Sequence, residues 1–265
     1  MKIPLNTDNM LAETDGAIGW MTFNKPARRN AVSVDMWEAM PVILDHFEQD
    51  PAVRVIVLKG AGDQAFVSGA DISQFESVRS SQAANAHYEK ISGEASRRLI
   101  ACSKPTIAMI QGFCIGGGLA IAIGCDIRIA NTGARFGVPA ARLGLGYAAP
   151  GVKRLMDLVG PSFSKEIFFT ARHFSAAEAK EMGLVNRVVA DDALEAYTRG
   201  YCATIADNAP MTMHALKRTV GELARGDKAD LAACDALVQA CFDSDDYREG
   251  RRAFMEKRRP VFLGS

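Results

Sequence analysis

From Ala17 to Val189 the chain alternates short apolar runs with longer stretches in which apolar residues recur every three or four positions. Ala17–Phe23 reads as a strand. Val34–Gln49 has helical spacing, with Ser33 placed to cap it and Pro41 as an expected kink inside it. Val53–Leu58 (VRVIVL) reads as a buried strand closed by Gly60 and Gly62, and Ala83–Ala101 as a helix. Thr106–Ile110 reads as a strand, after which Gly116–Gly118 lead into a short apolar helix ending at Gly124. Asp126–Ala130 is a further strand, and Val152–Thr170 a helix broken near Gly160-Pro161. Ser175-Ala-Ala-Glu178 is a capping box for a helix that stops at Gly183, before a short strand at Val185–Val189. This alternation predicts an α/β fold with parallel strands. From Asp191 to Lys257 only helical periodicity remains, with Pro210 as a helix start. The expected division is therefore residues 1–190 as an α/β core and 191–265 as an all-helical region.

Composition narrows the partners rather than the fold. The 265 residues carry 31 Lys+Arg against 31 Asp+Glu, so the formal net charge is zero and a protein that tracks nucleic-acid phosphates is disfavoured. The 6 cysteines are scattered with no C-x-x-C pair, and no histidine stands at zinc-finger spacing, so neither a disulfide framework nor a metal site is expected. The opening MKIPLNTDNM lacks a signal-type apolar run, and the longest apolar stretch, near Ile115–Gly124, is Gly-rich and too short for a bilayer. A cytoplasmic chain without membrane partners is the expectation.

Two glycine-containing turns carry the candidate chemistry: Ala65-Phe-Val-Ser68-Gly-Ala-Asp71-Ile and Gln111-Gly-Phe-Cys-Ile-Gly116-Gly117-Gly118. Each follows a strand, and the second opens a helix. Glycine lets backbone approach a ligand and frees N–H groups to point at an anion. Two such groups converging on one oxygen make an oxyanion hole, while the plainer reading of the triple glycine is a tight turn under a closely packed helix. Neither turn is a dinucleotide or P-loop signature, and no G-x-S-x-G elbow is present.

Further segments fall into a familiar order: Asn24-Lys-Pro26, Asn30-Ala31, Phe66-Val-Ser68-Gly69-Ala70-Asp71-Ile72, Lys104-Pro105, Gly116-Gly117-Gly118, Cys125-Asp126, Phe136-Gly137, Leu143-Gly144, Gly183-Leu-Val185 and the Asp245–Phe262 tail. In order and spacing the chain resembles the crotonase (enoyl-CoA hydratase/isomerase) superfamily along nearly its whole length. The resemblance implies a ββα-spiral core followed by a C-terminal helical region for oligomerisation and active-site cover. It implies an acyl-CoA thioester substrate, no cofactor beyond the CoA of the substrate, and a homotrimer or dimer of trimers. It assigns the oxyanion hole to the N–H groups of Ser68 and Gly117. It gives the CoA contacts to Ala27, Arg28, the backbone of Ala70, Asp71 and Ile72, and Lys257.

Departures from the family pattern bear on the reaction. Hydratases of this superfamily carry one Glu two residues after the triple glycine and another after the Phe-Gly-x-Pro segment; here those positions are Ala120 and Ala140. A general acid or base contributes roughly 10²–10⁴-fold, and alanine supplies none of it. Tyr147 resembles in place the Tyr of methylmalonyl-CoA decarboxylases, although Ala70 stands where those enzymes have His. Loss of CO₂ from a malonyl-type thioester needs an oxyanion hole and no carboxylate pair, with Tyr147 orienting the leaving carboxylate or returning a proton. Decarboxylation is therefore the leading expectation. An enoyl-CoA hydratase or isomerase with a non-standard acid/base residue, and a non-catalytic acyl-CoA binder, remain the alternatives.

Overall fold

The computed structural model describes residues 3–71 and 82–265, with side chains of 82–85 excepted. The first strands are β1 (Met10–Asp15), β2 (Ile18–Phe23) and β3 (Val55–Gly60), with helix α1 (Val34–Gln49) between the last two. They are followed by β4 (Ala65–Val67), α2 (Gln82–Ile100), β5 (Thr106–Ile110), β6 (Phe113–Ile115) and α3 (Gly117–Ala122). The chain continues through β7 (Ile127–Asn131), β8 (Arg135–Gly137), α4 (Ala149–Thr170), β9 (Phe174–Ser175), α5 (Ala176–Glu181) and β10 (Arg187–Val189). The remaining helices are α6 (Leu194–Ala206), α7 (Pro210–Leu223), α8 (Leu231–Asp243) and α9 (Asp245–Met255).

A 6-stranded sheet has the order β1-β2-β3-β5-β7-β10, and a 4-stranded sheet the order β4-β6-β8-β9. Within them β1/β2 and β8/β9 are antiparallel and the other neighbours parallel. The chain lays one strand in the large sheet, one in the small sheet and then a helix: β3-β4-α2, then β5-β6-α3, then β7-β8 and α4. This is a ββα spiral, and it places successive turns side by side at one end of the small sheet.

The central strands of the large sheet are buried on both faces, which explains their unbroken apolar runs. Met21, Phe23, Ile56, Leu58, Ala108 and Ile110 join the main core with Phe66, Cys114 and Phe136 of the small sheet. The alternate residues Ile18, Trp20, Val55, Val57, Ile107 and Met109 form a second cluster, closed by Leu194 and Cys202 of α6. The first helix of the C-terminal region thus serves as the outer cover of the sheet.

Several local expectations meet different physics. Pro41 lies inside α1, which runs without a break from Val34 to Gln49. Ser33 stands before it in extended conformation, but its Oγ makes no cap hydrogen bond. The break in α4 is real, with Gly160 at φ 74°. Ser175 caps α5 as expected: its Oγ accepts from Glu178 N–H at 3.3 Å, and Glu178 Oε2 accepts from Ser175 N–H at 2.8 Å. Among the described residues no helix is long and apolar enough to cross a membrane.

Candidate active site

The two glycine turns leave adjacent parallel strands at the same end, because Ala65 and Val67 of β4 pair with Phe113 and Cys114 of β6. Close approach of the second turn depends on Gly118, where an added Cβ would lie 2.1 Å from the Val67 carbonyl oxygen. Gly116 supplies the left-handed step (φ 53°), and its N–H donates to Gly137 O at 2.8 Å. Gly117 is the first residue of α3, so its N–H has no acceptor within the helix. A Cβ built on Gly117 would lie 3.7 Å from Ala70 N, so the two turns meet there.

This geometry corrects one expected donor. Ser68 N–H donates to Arg29 O at 3.1 Å and is committed to the neighbouring turn. Ala70 N–H, two residues on, makes no hydrogen bond among the described residues. The two uncommitted amides that face one another are Ala70 and Gly117.

A second loop frames the first turn. The segment between β2 and α1 is tied to residues 65–71 by Val32 N–H to Gly69 O (2.8 Å) and Asp71 N–H to Val32 O (2.9 Å). Asn30, buried and left-handed (φ 55°), donates through Nδ2 to Ala65 O at 2.8 Å and Ala61 O at 2.9 Å. Lys25 Nζ meets Asp71 Oδ2 at 2.6 Å. Asp71 is therefore a framing residue whose N–H and carboxylate are both engaged. The roles of Lys25 and Asn30 were not legible beforehand; the available signal was an Asn at a turn, a residue that tolerates left-handed backbone.

The remaining candidate residues are distributed as follows. Ala27 and Arg28 are exposed in a short 3-10 turn, and Arg28 O accepts from Ser68 Oγ at 3.4 Å. Arg29 is held with its guanidinium 5.1 Å from the Phe113 ring centre. Ile72 lies outside the described residues. Ala120 follows Gly117 by three residues in α3, and its N–H donates to Gly116 O at 3.0 Å. Ala140 is buried just after Pro139, whose ring is 3.8 Å from the Cβ position of Gly116. Both positions thus flank the triple-glycine turn, and both present only a methyl group.

Tyr147 stands on the exposed stretch between Ala141 and Pro150, its ring edge-to-face with Phe168 at 5.0 Å. Lys257 is exposed beyond α9 with φ 54°, and its side chain makes no ion pair among the described residues. Trp37, from α1, brings its Cζ2 to 3.9 Å from the Gly117 Cβ position and so forms a wall beside the paired amides. Cys114 and Cys125 are buried fillers whose thiols are pushed up by burial, Cys125 to about 12.

A ββα spiral with two backbone amides converging at the end of its small sheet is the crotonase fold, a scaffold for thioester carbonyl chemistry. A family model described as enoyl-CoA hydratase/isomerase matches residues 13–265. The chain belongs to the enoyl-CoA hydratase/isomerase family and is an acyl-CoA enzyme. It is 34% identical over 259 residues to the short-chain-enoyl-CoA hydratase of Clostridium acetobutylicum, covering 96% of this chain and 97% of that protein. It is 32% identical over 258 residues to the crotonyl-CoA hydratase of Syntrophomonas wolfei, covering 97% and 98%. Among solved structures, an enoyl-CoA hydratase/carnithine racemase from Magnetospirillum magneticum superposes with a TM-score of 0.91 at 34% identity, over 98% of this chain and 97% of that one. An enoyl-CoA hydratase/isomerase family protein from Hyphomonas neptunium gives 0.92 at 36% identity, over 96% and 97%.

Proposed function

We propose that this enzyme holds the thioester carbonyl of an acyl-CoA between the N–H groups of Ala70 and Gly117, and that its reaction is decarboxylation of a short malonyl-type thioester. The observation that supports this reading is the pair Ala120 and Ala140 beside an otherwise complete turn geometry. Breaking the bond to CO₂ sends its electron pair into the thioester to give an enolate, whose oxygen the two amides stabilise. No proton moves in that step, so no carboxylate is needed for it. Two methyl groups also leave the substrate carboxylate poorly solvated and unrepelled, which favours its loss. Tyr147, on the rim, orients that carboxylate. Ala27, Arg28, the backbone near Ala70 and Lys257 receive the pantetheine and nucleotide parts of CoA, which enters only as part of the substrate.

A second reading, hydration or isomerisation of an enoyl-CoA, is favoured by the hydratase names of the relatives. The discriminating experiment incubates the purified protein separately with methylmalonyl-, ethylmalonyl- and crotonyl-CoA and reads the products by mass spectrometry. Loss of CO₂ from a malonyl ester is the expected result. Rapid gain of water by crotonyl-CoA overturns decarboxylation in favour of the second reading. Binding of all three without conversion overturns both and leaves a non-catalytic binder. A homotrimer, or a pair of trimers, is part of the proposal. It is supported by the apolar stripe Leu216, Val220 and Leu223 exposed along α7, and light scattering tests it.

A further inference from the structure

We infer that residues 25–32 carry the enzyme's hold on the nucleotide end of CoA into the oxyanion hole, with Lys25 as the positioning residue that stiffens the connection. This deepens the reading above and rests on two of its assignments: Ala27 and Arg28 to CoA, and the Ala70 amide to the thioester oxygen. Residues 25–32 grip residues 68–71 along their length. Ser68 N–H donates to Arg29 O at 3.1 Å, Val32 N–H to Gly69 O at 2.8 Å, and Asp71 N–H to Val32 O at 2.9 Å. Lys25 Nζ closes the far end on Asp71 Oδ2 at 2.6 Å. Val32 and Ala70 thereby form a parallel bridge, in which Val32 bonds the residues on either side of Ala70. The Ala70 N–H is left on the opposite edge, the edge that meets Gly117. Its aim is therefore set by the grip from residues 25–32.

The ion pair is the part of this grip that a side chain controls. The Asp71 side chain is 6% exposed and that of Lys25 24%. A carboxylate at that depth depends on the cation beside it. Removing the ammonium favours movement of Asp71 toward water, and the peptide that joins it to Ala70 moves with it. Lys25 is itself fixed from behind. Its N–H donates to Asn30 Oδ1 at 3.0 Å and its carbonyl accepts from Asn30 N–H at 3.0 Å, while Asn30 Nδ2 holds Ala65 O at 2.8 Å. Between these anchors the turn Pro26–Arg28 has no buried residue. It is held from one side, and a nucleotide seated on its outer face restrains it from the other. Binding energy from a remote part of a substrate reaches the reacting centre through such a connection, and it then raises kcat as well as affinity. Lys25 makes and breaks no bond; its ammonium acts through Asp71 and the Ala70 amide.

The test compares methylmalonyl-CoA or crotonyl-CoA, whichever the wild-type protein converts, with the N-acetylcysteamine thioester of the same acyl group, which ends short of the nucleotide. Truncation is expected to raise KM and also to lower wild-type kcat by about 10²-fold, the scale of a small misplacement at the reacting centre. Lys25→Met is expected to bring kcat on the CoA ester down to nearly the truncated value and to change kcat on the truncated ester little. Binding of the CoA ester, followed by calorimetry, is retained. Lys25→Arg keeps a cation for Asp71 and is expected to restore the ratio of the two kcat values. A merely structural role for Lys25 would lower the melting temperature and leave that ratio intact, which overturns the inference. Equal wild-type kcat on both esters, with different KM, overturns the connection while the enolate reading stands. Equal KM removes the CoA assignment of Ala27 and Arg28 and the inference with it. If Lys25→Met does not fold, an unchanged ratio in Lys25→Gln overturns the inference instead. Failure of the wild-type protein to convert either CoA ester overturns the enolate reading and this inference together.

Discussion

Replacing Gly117 by proline removes the amide hydrogen and sets the ring Cδ where it pointed. Gly117 is the first residue of α3, a position that proline suits because the missing N–H has no helical acceptor. The preceding residue is also a glycine, so ring crowding meets no side chain there. A Cβ at this position finds Ala70 N at 3.7 Å, Gly69 C at 3.8 Å and Trp37 Cζ2 at 3.9 Å, all ordinary contacts. Loss of glycine freedom in the unfolded chain should stabilise by about 0.4–1 kcal/mol, so the melting temperature is expected to hold. The amide itself is the loss: one donor to a developing oxyanion is worth about 2.7–4 kcal/mol, or ~10²–10³ in turnover. Gly117→Ala adds the same Cβ and keeps the donor, and is expected to retain most of the activity. The assay is kcat/KM on the converted CoA ester for both variants, beside their melting curves. A Gly117→Pro protein that melts normally and matches Gly117→Ala in kcat/KM would refute a role for this amide.

Ser68→Ala should leave kcat/KM nearly unchanged, a shift below ~0.5 kcal/mol, because it removes only an Oγ that makes a long contact to Arg28 O; a hundredfold loss would give the hydroxyl itself a role in the site. Asp71→Asn uncouples Lys25 from a carboxylate that is 6% exposed, and should cost about 1–3 kcal/mol in urea unfolding and slow turnover as the Ala70 turn loosens. Unchanged stability and rate would show the ion pair to be incidental. Burial pushes the Cys102 thiol up to about 11 and those of Cys125 and Cys202 to about 12, with Cys114 raised as well. A thiolate-directed reagent at about pH 8 should therefore spare these four and modify the half-buried Cys241 first, with the order read by peptide mass mapping. Equal labelling of all of them in native protein would contradict this packing.

The elements that period reveals were legible: α1, β3, β5, α7 and the broken α4 all stand where the apolar spacing places them. β1 was not, because as an edge strand it buries only Met10 and Ala12 fully while Leu11 remains 44% exposed. It pairs with β2 through a two-residue loop, Gly16-Ala17, with Gly16 at φ 58°. The whole small sheet was hidden for a different reason. β4, β6 and β8 span three residues each, too few to express a period, and they lie in segments that read as glycine turns. Pro41 does not end α1 because helix disruption is a propensity that packing can override; its neighbours Met40, Ile43 and Leu44 are all buried in the main core.

The site shows the same boundary between what letters carry and what geometry adds. Resemblance brings the two turns together, and their glycines explain why backbone can close upon backbone. Which amide points into the gap is a dihedral question. Were residues 68–70 regularly extended, the N–H groups of Ser68 and Ala70 would point the same way, and either would serve. Gly69 stands at φ 122°, which only glycine adopts freely, and the chain turns there. Ser68 N–H is thereby directed to Arg29, itself left-handed at φ 49°, while Ala70 N–H stays uncommitted beside Gly117. Trp37 and Tyr88 illustrate a further step. Each falls in a helical pattern that marks it as core, and core it is. Only the meeting of α1 with α2 shows that Trp37 Nε1 donates to Tyr88 Oη at 2.9 Å, which fixes the indole whose Cζ2 lies beside Gly117.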